Sequence, residues 1–195
     1  MFDPSYNPTI YSASKIWNNW RAVELREKHG FNIIARWIDF ECGTKENPTG
    51  AKVFTPSEKT VLWDQCGHDS TVCDMTVIYA EDGDEMRGAL VEMGMTLGAG
   101  LALGIPKPIY VVGDCATFRV AQHSDVAFMH HRWVHRVNVP KNQNGSYDHL
   151  KGYHSAVAHY LLKYHTAEMV EKKRTVSYAG ITGSEPRLQQ KAIAA

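Results

Sequence analysis

The sequence predicts an α/β fold in which a parallel sheet carries helices on both faces. Short apolar runs rich in β-branched residues alternate with helical stretches along the chain, and each return to a parallel strand needs a crossover helix packed on the sheet. Residues 73–113 supply one whole unit of this kind: an apolar strand, the polar turn Glu81-Asp82-Gly83-Asp84-Glu85, a Gly-rich helix and a second apolar strand. With 195 residues, 44% hydrophobic and 22% charged, the chain is long enough for one domain with a substantial core. Five strands are expected, in the flavodoxin-like, Rossmann-like order 2-1-3-4-5. In that order ligands bind beyond the carboxyl ends of the strands, at the switch point beside strand one.

In chain order, Thr9-Ile10-Tyr11-Ser12-Ala13 is the first β-prone run, and Ser14 is placed as N-cap of a helix over residues 15–29 that Gly30 ends. Ile16, Trp20, Val23 and Leu25 give that helix an apolar side. The isoleucine-rich run 31–37 reads as the second strand. Residues 40–55, polar and containing Gly43, Pro48 and Gly50, form a long loop of the kind used for lids and binding. Pro56-Ser57-Glu58 opens a helix with Val61, Leu62 and Trp63, and Gly67 is expected to loosen its end before Asp69. The third strand, residues 73–79, leads through the acidic turn to a helix from Gly88 to Gly104, and residues 108–113 form the fourth strand. Residues 124–129 are assigned to the fifth, 138–146 to a loop, and 147–170 to a helix with Leu150, Val157, Leu161 and Leu162 facing the core. Residues 1–170 thus make one α/β domain. Residues 171–195 are polar and aperiodic, a tail that is mobile or reaches a neighbouring subunit.

Acidic and basic side chains balance at 21 each. A neutral chain has no general attraction to polyanions or membrane surfaces, so polynucleotide and membrane partners are disfavoured and any phosphate recognition must be local. Cys42, Cys66, Cys73 and Cys115 show no CxxC pairing, a usage that suits the reducing cytoplasm. The start, Met1-Phe2-Asp3-Pro4-Ser5, lacks the basic and apolar regions of a signal peptide. The apolar stretch 88–105 is interrupted by Glu92 and by glycines, and reads as a buried helix rather than a membrane span. His123, His130, His131 and His135 gain no cysteine or carboxylate to complete a ligand set, so neither metal nor other cofactor is expected. His154, His159 and His165, with Tyr153, Tyr160 and Tyr164, read as a helix face or a subunit contact.

Glu92 is the one acidic residue in that apolar helix, and an ionised carboxylate is costly to bury without partners. A helix starting at Gly88 puts it within about the first turn, where the helix dipole favours the charged form. Such a carboxylate is a nucleophile or acceptor rather than a proton donor; a wet edge, or a pair with Arg87 or Arg36, is the structural alternative. The predicted topology gathers Tyr11, Arg36, the 81–88 loop, Glu92 and Asp114 on one rim. Glycines at 94, 98, 100 and 104 each cost the helix roughly 1 kcal/mol relative to alanine and fit a helix lying close to the sheet or to a partner.

Tyr11 at the end of strand one, Asp74 opening strand three, the Gly88-x-x-x-Glu92-x-Gly94 spacing and the Gly104-Ile105-Pro106 continuation to Val112 together resemble the nucleoside 2-deoxyribosyltransferase superfamily. That superfamily includes the nucleoside 5'-monophosphate N-glycosidases. The resemblance spans residues 9–113 and is clearest over 74–113. It implies a small-molecule nucleoside or nucleotide substrate, attack of Glu92 on the anomeric carbon to form a glycosyl-enzyme ester, and a Tyr11 hydrogen bond that positions Glu92. Water as acceptor makes the protein a hydrolase; a second base makes it a transferase. The family's acid, which handles the leaving base, lies eight residues before the strand-opening aspartate. Here Cys66 occupies that place, and of the nearby Asp64 and Asp69 the second is the candidate because it lies closer to the strand and the expected cleft. Arg87 and the free N–H groups at Gly88 are placed for a 5'-phosphate. Arg36 and Trp37 are placed for a base, and Asp114 for another part of the substrate. The family's C-terminal residue that helps build the neighbouring site has no match in Lys191-Ala192-Ile193-Ala194-Ala195, which favours hydrolysis over base exchange. A homodimer or higher homo-oligomer is also implied. Two other readings stand beside this one: a catalytically inactive nucleotide-binding module, which Cys66 would permit, and an NAD- or ADP-ribose-type glycohydrolase.

Overall fold

Four strands, β1 (Ile10–Ala13), β2 (Met75–Ala80), β3 (Ile109–Gly113) and β4 (Val134–Val137), run parallel in that order in one sheet of the computed structural model, which describes residues 5–40, 54–113 and 131–175. β1 and β2 are buried throughout, which is why they read as continuous apolar runs rather than alternating ones. Among the described residues five α-helices accompany them: α1 (Asn19–His29), α2 (Pro56–Val72), α3 (Arg87–Leu103), α4 (His149–Lys163) and α5 (Ala167–Thr175). Successive strand residues point to opposite faces. Tyr11 and Thr76 meet α3 through Glu92 and Thr96, whereas Ser12 and Tyr110 meet α4 through Tyr153 and His159. Helices therefore cover both faces. Among the described residues, no helix is long and apolar enough to cross a membrane.

Local chemistry explains most helix ends. Thr55 and Glu58 form a reciprocal capping box at α2, and the Asp148 carboxylate accepts the Lys151 N–H at 3.0 Å to cap α4. Gly30 and Gly104 close α1 and α3 in the left-handed conformation, at φ 71° and 63°. Gly100 is required by space: a Cβ there would lie 2.9 Å from both the Ile105 carbonyl and the Trp133 ring. Gly94 and Gly98 face open space instead, so close packing accounts for only part of the glycine content of α3.

Several elements differ from the sequence reading. Ser14 does not cap α1; its hydroxyl donates to the Lys15 carbonyl, the chain is still extended at Lys15, and a 3-10 helix (Ile16–Asn18) precedes a start at Asn19. The run 31–37 contributes one bridge, Ile33 to Ile10, before turning into a second 3-10 helix (Arg36–Asp39) whose first N–H is taken by the Asp69 carboxylate at 2.9 Å. Among the described residues the sheet thus has four strands. α2 passes through Gly67 without breaking, and a Cβ there would make only ordinary contact with the Met95 thioether, at 3.5 Å. β4 forms where no strand is expected: His135 and Arg136 interrupt its apolar pattern, and His135 is retained by a 2.7 Å hydrogen bond with the Tyr164 hydroxyl. The expected strand at 124–129 lies outside the described residues. The single helix expected over 147–170 is divided at Tyr164 into α4 and α5. α5 continues past residue 171, and Lys173 binds the Asp74 carboxylate at 2.5 Å and the Tyr160 hydroxyl at 2.8 Å.

Candidate active site

The site begins where β1 meets the second turn of α3. Tyr11 donates its hydroxyl to Glu92 Oε1 at 2.6 Å, a contact across 81 residues of sequence. The level of α3 is set one turn further on, where the buried Thr96 hydroxyl lies 2.9 Å from Thr76 Oγ1 and 3.0 Å from the carbonyls of Ser70 and Glu92. Three elements, β2, α2 and α3, thereby share one small polar junction directly behind the carboxylate. Burial, with Glu92 next, pushes the Tyr11 phenol far above its ordinary range, so it remains a donor.

Glu92 itself is half-buried. Burial pushes its carboxyl up to about 6, against the opposing pull of the Tyr11 hydrogen bond. This corrects the expectation from the helix dipole: α3 starts at Arg87, which makes Glu92 a second-turn residue, and the dipole falls off within the first turn. At neutral pH the group is still mostly ionised. One oxygen is held by Tyr11, leaving Oε2 to react or accept.

Cys66, 7% exposed, reaches the same place from α2. Burial, the largest influence, pushes its thiol up to about 11, with Glu92 and Asp69 acting in the same direction and Tyr11 and Arg36 against it. The thiol is therefore neutral beside the Tyr11–Glu92 pair. In front of the three groups lies a cavity of about 470 Å³, a size ordinary for small-molecule sites. Trp17, Trp37 and Trp63 contribute indole walls; Ser14, Lys15, Glu85, Arg87 and Gly88 supply polar and backbone groups. Trp37 is fixed by donation of its indole N–H to the Ser12 carbonyl at 2.8 Å, and Lys15 Nζ lies 5.3 Å from the centroid of the Trp17 ring. The β2–α3 loop that brings in Glu85 and Arg87 is anchored on the other side of the sheet by Arg21, whose guanidinium meets Glu81 at 2.5 Å between the rings of Trp20 and Tyr79.

The sequence-derived residues separate into groups. Tyr11 and Glu92 are in contact, and Glu92, Arg87 and Gly88 all line the cavity; Arg87 is highly exposed and pairs with Glu85 at 3.0 Å. Asp69 and Arg36 are not among the lining residues. Asp69 is buried, and its carboxylate is taken by Arg36 through the backbone N–H, Nε and a terminal nitrogen at 2.7 to 3.1 Å. It holds the segment after the Ile33 bridge against α2. Asp114 lies outside the described residues. Lys15, Trp17 and Trp63 were missed. The first two directly follow strand one, a place where ligand crevices form in open α/β sheets, and Trp63 lies one turn from Cys66 on α2. His135 of β4 and His159 of α4 sit among Tyr110 and Tyr164, packed ring against ring. Among the described residues, no group of three or more metal-ligating side chains is assembled.

No protein-family model matches the chain, and no curated protein is significantly similar to it.

Proposed function

We propose that this chain cleaves the N-glycosidic bond of a nucleoside or nucleoside 5'-monophosphate through a glycosyl ester on Glu92, with water as the acceptor, as a member of the nucleoside 2-deoxyribosyltransferase superfamily. The observation that carries the reading is the 2.6 Å bond from Tyr11 to Glu92 on the wall of a tryptophan-lined cavity. A carboxylate held by one oxygen, partly dried and facing an aromatic-walled space suits attack on an oxocarbenium-like anomeric carbon beside a stacked base. Arg87 and the N-terminal N–H groups of α3, on the same wall, suit a 5'-phosphate. The lone bridge between Ile10 and Ile33 supports the 2-1-3-4-5 strand order with its second member reduced to a single bridge. Cytoplasmic location and homo-oligomerisation belong to the same reading; for the second, the exposed Val91, Met95 and Leu101 on α3 offer an uncharged face to another copy.

Liberation of free base from a panel of nucleosides and nucleotides tests the reading. Wild type releases base, and Glu92→Ala lowers the rate by at least about 10³-fold, as loss of a nucleophile does in covalent catalysis. Equal release by both proteins would remove Glu92 from the mechanism. The neutral thiol of Cys66 favours one second reading, a binding module that keeps the pocket without turnover. Saturable nucleotide binding with no base release under any condition would select it.

A further inference from the structure

The Tyr11–Glu92 site supplies a nucleophile, but cleavage also requires the leaving nitrogen to accept an electron pair. An uncharged purine or pyrimidine leaves as an anion unless an acid protonates it, and such acids contribute about 10²- to 10⁴-fold. No described carboxylic acid at this cavity is free to protonate the base; its other donors are cations and hydroxyl or indole groups. The Tyr11 hydroxyl points to Glu92 and the Trp37 indole N–H to Ser12, burial pushes the Cys66 thiol up to about 11, and Glu85 is ion-paired with Arg87. Asp69 is locked on Arg36. What the cavity does offer is aromatic surface: the indoles of Trp17, Trp37 and Trp63 line one space together with the carboxylates of Glu85 and Glu92. Indole faces attract cations, and the Lys15 ammonium already lies 5.3 Å from the centroid of Trp17.

Building on the glycosidase reading above, we infer that the preferred substrates are N-glycosides whose base carries a fixed positive charge on the aromatic ring, the class that includes pyridinium nucleotides and N-alkylated purine nucleotides. The electron balance then closes without an acid. Glu92 Oε2 forms a bond to the anomeric carbon, the carbon–nitrogen bond breaks, and its electron pair returns to the ring, which leaves neutral. Water next attacks the anomeric carbon, the ester bond to Glu92 breaks, the carboxylate is restored and one proton passes to solvent. Lys15 and Arg87 fit the other end of such a molecule: with a phosphate on the sugar the substrate is zwitterionic, matching a lining that holds two cations and two carboxylates.

The test uses the full chain and follows base release chromatographically from nicotinamide mononucleotide and N7-methylguanosine 5'-monophosphate, against guanosine and 2'-deoxyguanosine 5'-monophosphates, with non-enzymatic loss subtracted. The cationic substrates are expected to exceed the neutral ones in kcat/KM by about 100-fold or more, the lower end of what a general acid would otherwise contribute. Activity on either cationic compound sustains the class, and their ratio identifies the ring preferred. Above the titration of Glu92 the pH profile for nicotinamide mononucleotide, whose ring charge does not titrate, should stay flat to the alkaline side, because no protonated group is needed. Trp63→Leu, at a 46% exposed position, should raise KM for the cationic substrates about two- to five-fold more than for the neutral ones. Neutral nucleotides cleaved as fast as cationic ones, an alkaline fall in rate with nicotinamide mononucleotide, or an equal effect of Trp63→Leu on both classes would each overturn this inference and leave N-glycosidase activity standing. Release of base from none of the four would overturn the glycosidase reading itself.

Discussion

Replacing Glu92 by glutamine should make the protein more stable at neutral pH and no more stable in acid. Burial raises the Glu92 carboxyl from an ordinary 4.5 to about 6. The native state therefore holds this proton more tightly than the unfolded chain. As pH rises from below 4.5 to above 6, the unfolded chain releases it first and native stability declines across that window. At 1.36 kcal/mol per pH unit, the ionised carboxylate costs the fold about 2 kcal/mol once pH exceeds 6. Glutamine matches the shape, keeps an oxygen for the Tyr11 hydroxyl and carries no charge at any pH. Urea unfolding followed by tryptophan fluorescence should place Glu92→Gln about 2 kcal/mol above wild type at pH 7.5, or about 4–8 °C higher in Tm for a chain of this length. At pH 4.0 the two should agree within a few tenths of a kcal/mol, the usual range for a substitution that disturbs no packing. A difference that is the same at both pH values, or a variant less stable at pH 7.5, would show that the carboxylate is not held against a desolvation cost, and the electrostatic account of the site would fail.

Four further substitutions probe the surrounding structure. If turnover needs ionised Glu92, kcat/KM for base release should fall below about pH 6; Tyr11→Phe removes the bond that holds the carboxyl down, so its acid limb should move to higher pH, and an unmoved limb would separate Tyr11 from the titration of Glu92. Arg36→Ala leaves the buried Asp69 without its charge partner and should cost about 2–3 kcal/mol in denaturant unfolding, more than Asp69→Asn, which keeps an acceptor for the Arg36 N–H; a larger loss for Asp69→Asn would point to a role for Asp69 beyond this clamp. For Asp74, burial pushes the carboxyl up, yet Lys173 and hydrogen bonds from Tyr6 and Thr9 outweigh it and hold the group below its ordinary 3.8. Stability from this cluster is present above that value and lost as pH falls below it. Lys173→Met should therefore be destabilised by about 1–3 kcal/mol at pH 7, with the gap narrowing below pH 4, as measured by unfolding at both pH values.

The parts of the fold legible in the sequence were those set by short-range chemistry or by burial on both sides. Tyr79, buried within β2, and Gly104, which ends α3 with positive φ, could be read because each follows from residue type alone. Tyr11 and Glu92 were legible for another reason: the expected topology puts both on one rim of the sheet, and the family resemblance implies the hydrogen bond between them. What escaped was decided by distant groups. Residues 31–37 have the composition of a strand, yet Asp69, 33 positions from Arg36, takes that residue's N–H and turns the chain into a 3-10 helix. The same long-range clamp withdraws Asp69 from the cavity, which nothing in its local sequence announces. β4 was hidden because His135 looks unlike a strand residue until Tyr110, His159 and Tyr164 close around it.

The placement of Glu92 argues against an incidental charge. A side chain of its length at the cavity wall could turn to water and relax its desolvation, yet it lies where Tyr11 reaches it from β1 and where Thr96 fixes its backbone carbonyl from the next turn. Cys66 closes the third side without adding a charge; a carboxylate there would face Glu92 and Asp69 at close range and drive the Glu92 proton affinity higher still. The neutral thiol thus keeps a half-buried acid close to ionisation near neutral pH, while the indoles of Trp17, Trp37 and Trp63 line the space before it. A carboxylate that is costly to hold, bonded by Tyr11 from β1 and left with its second oxygen unengaged among the described contacts, is what the proposed attack requires. Had the same residues served packing alone, glutamine at 92 would serve it better.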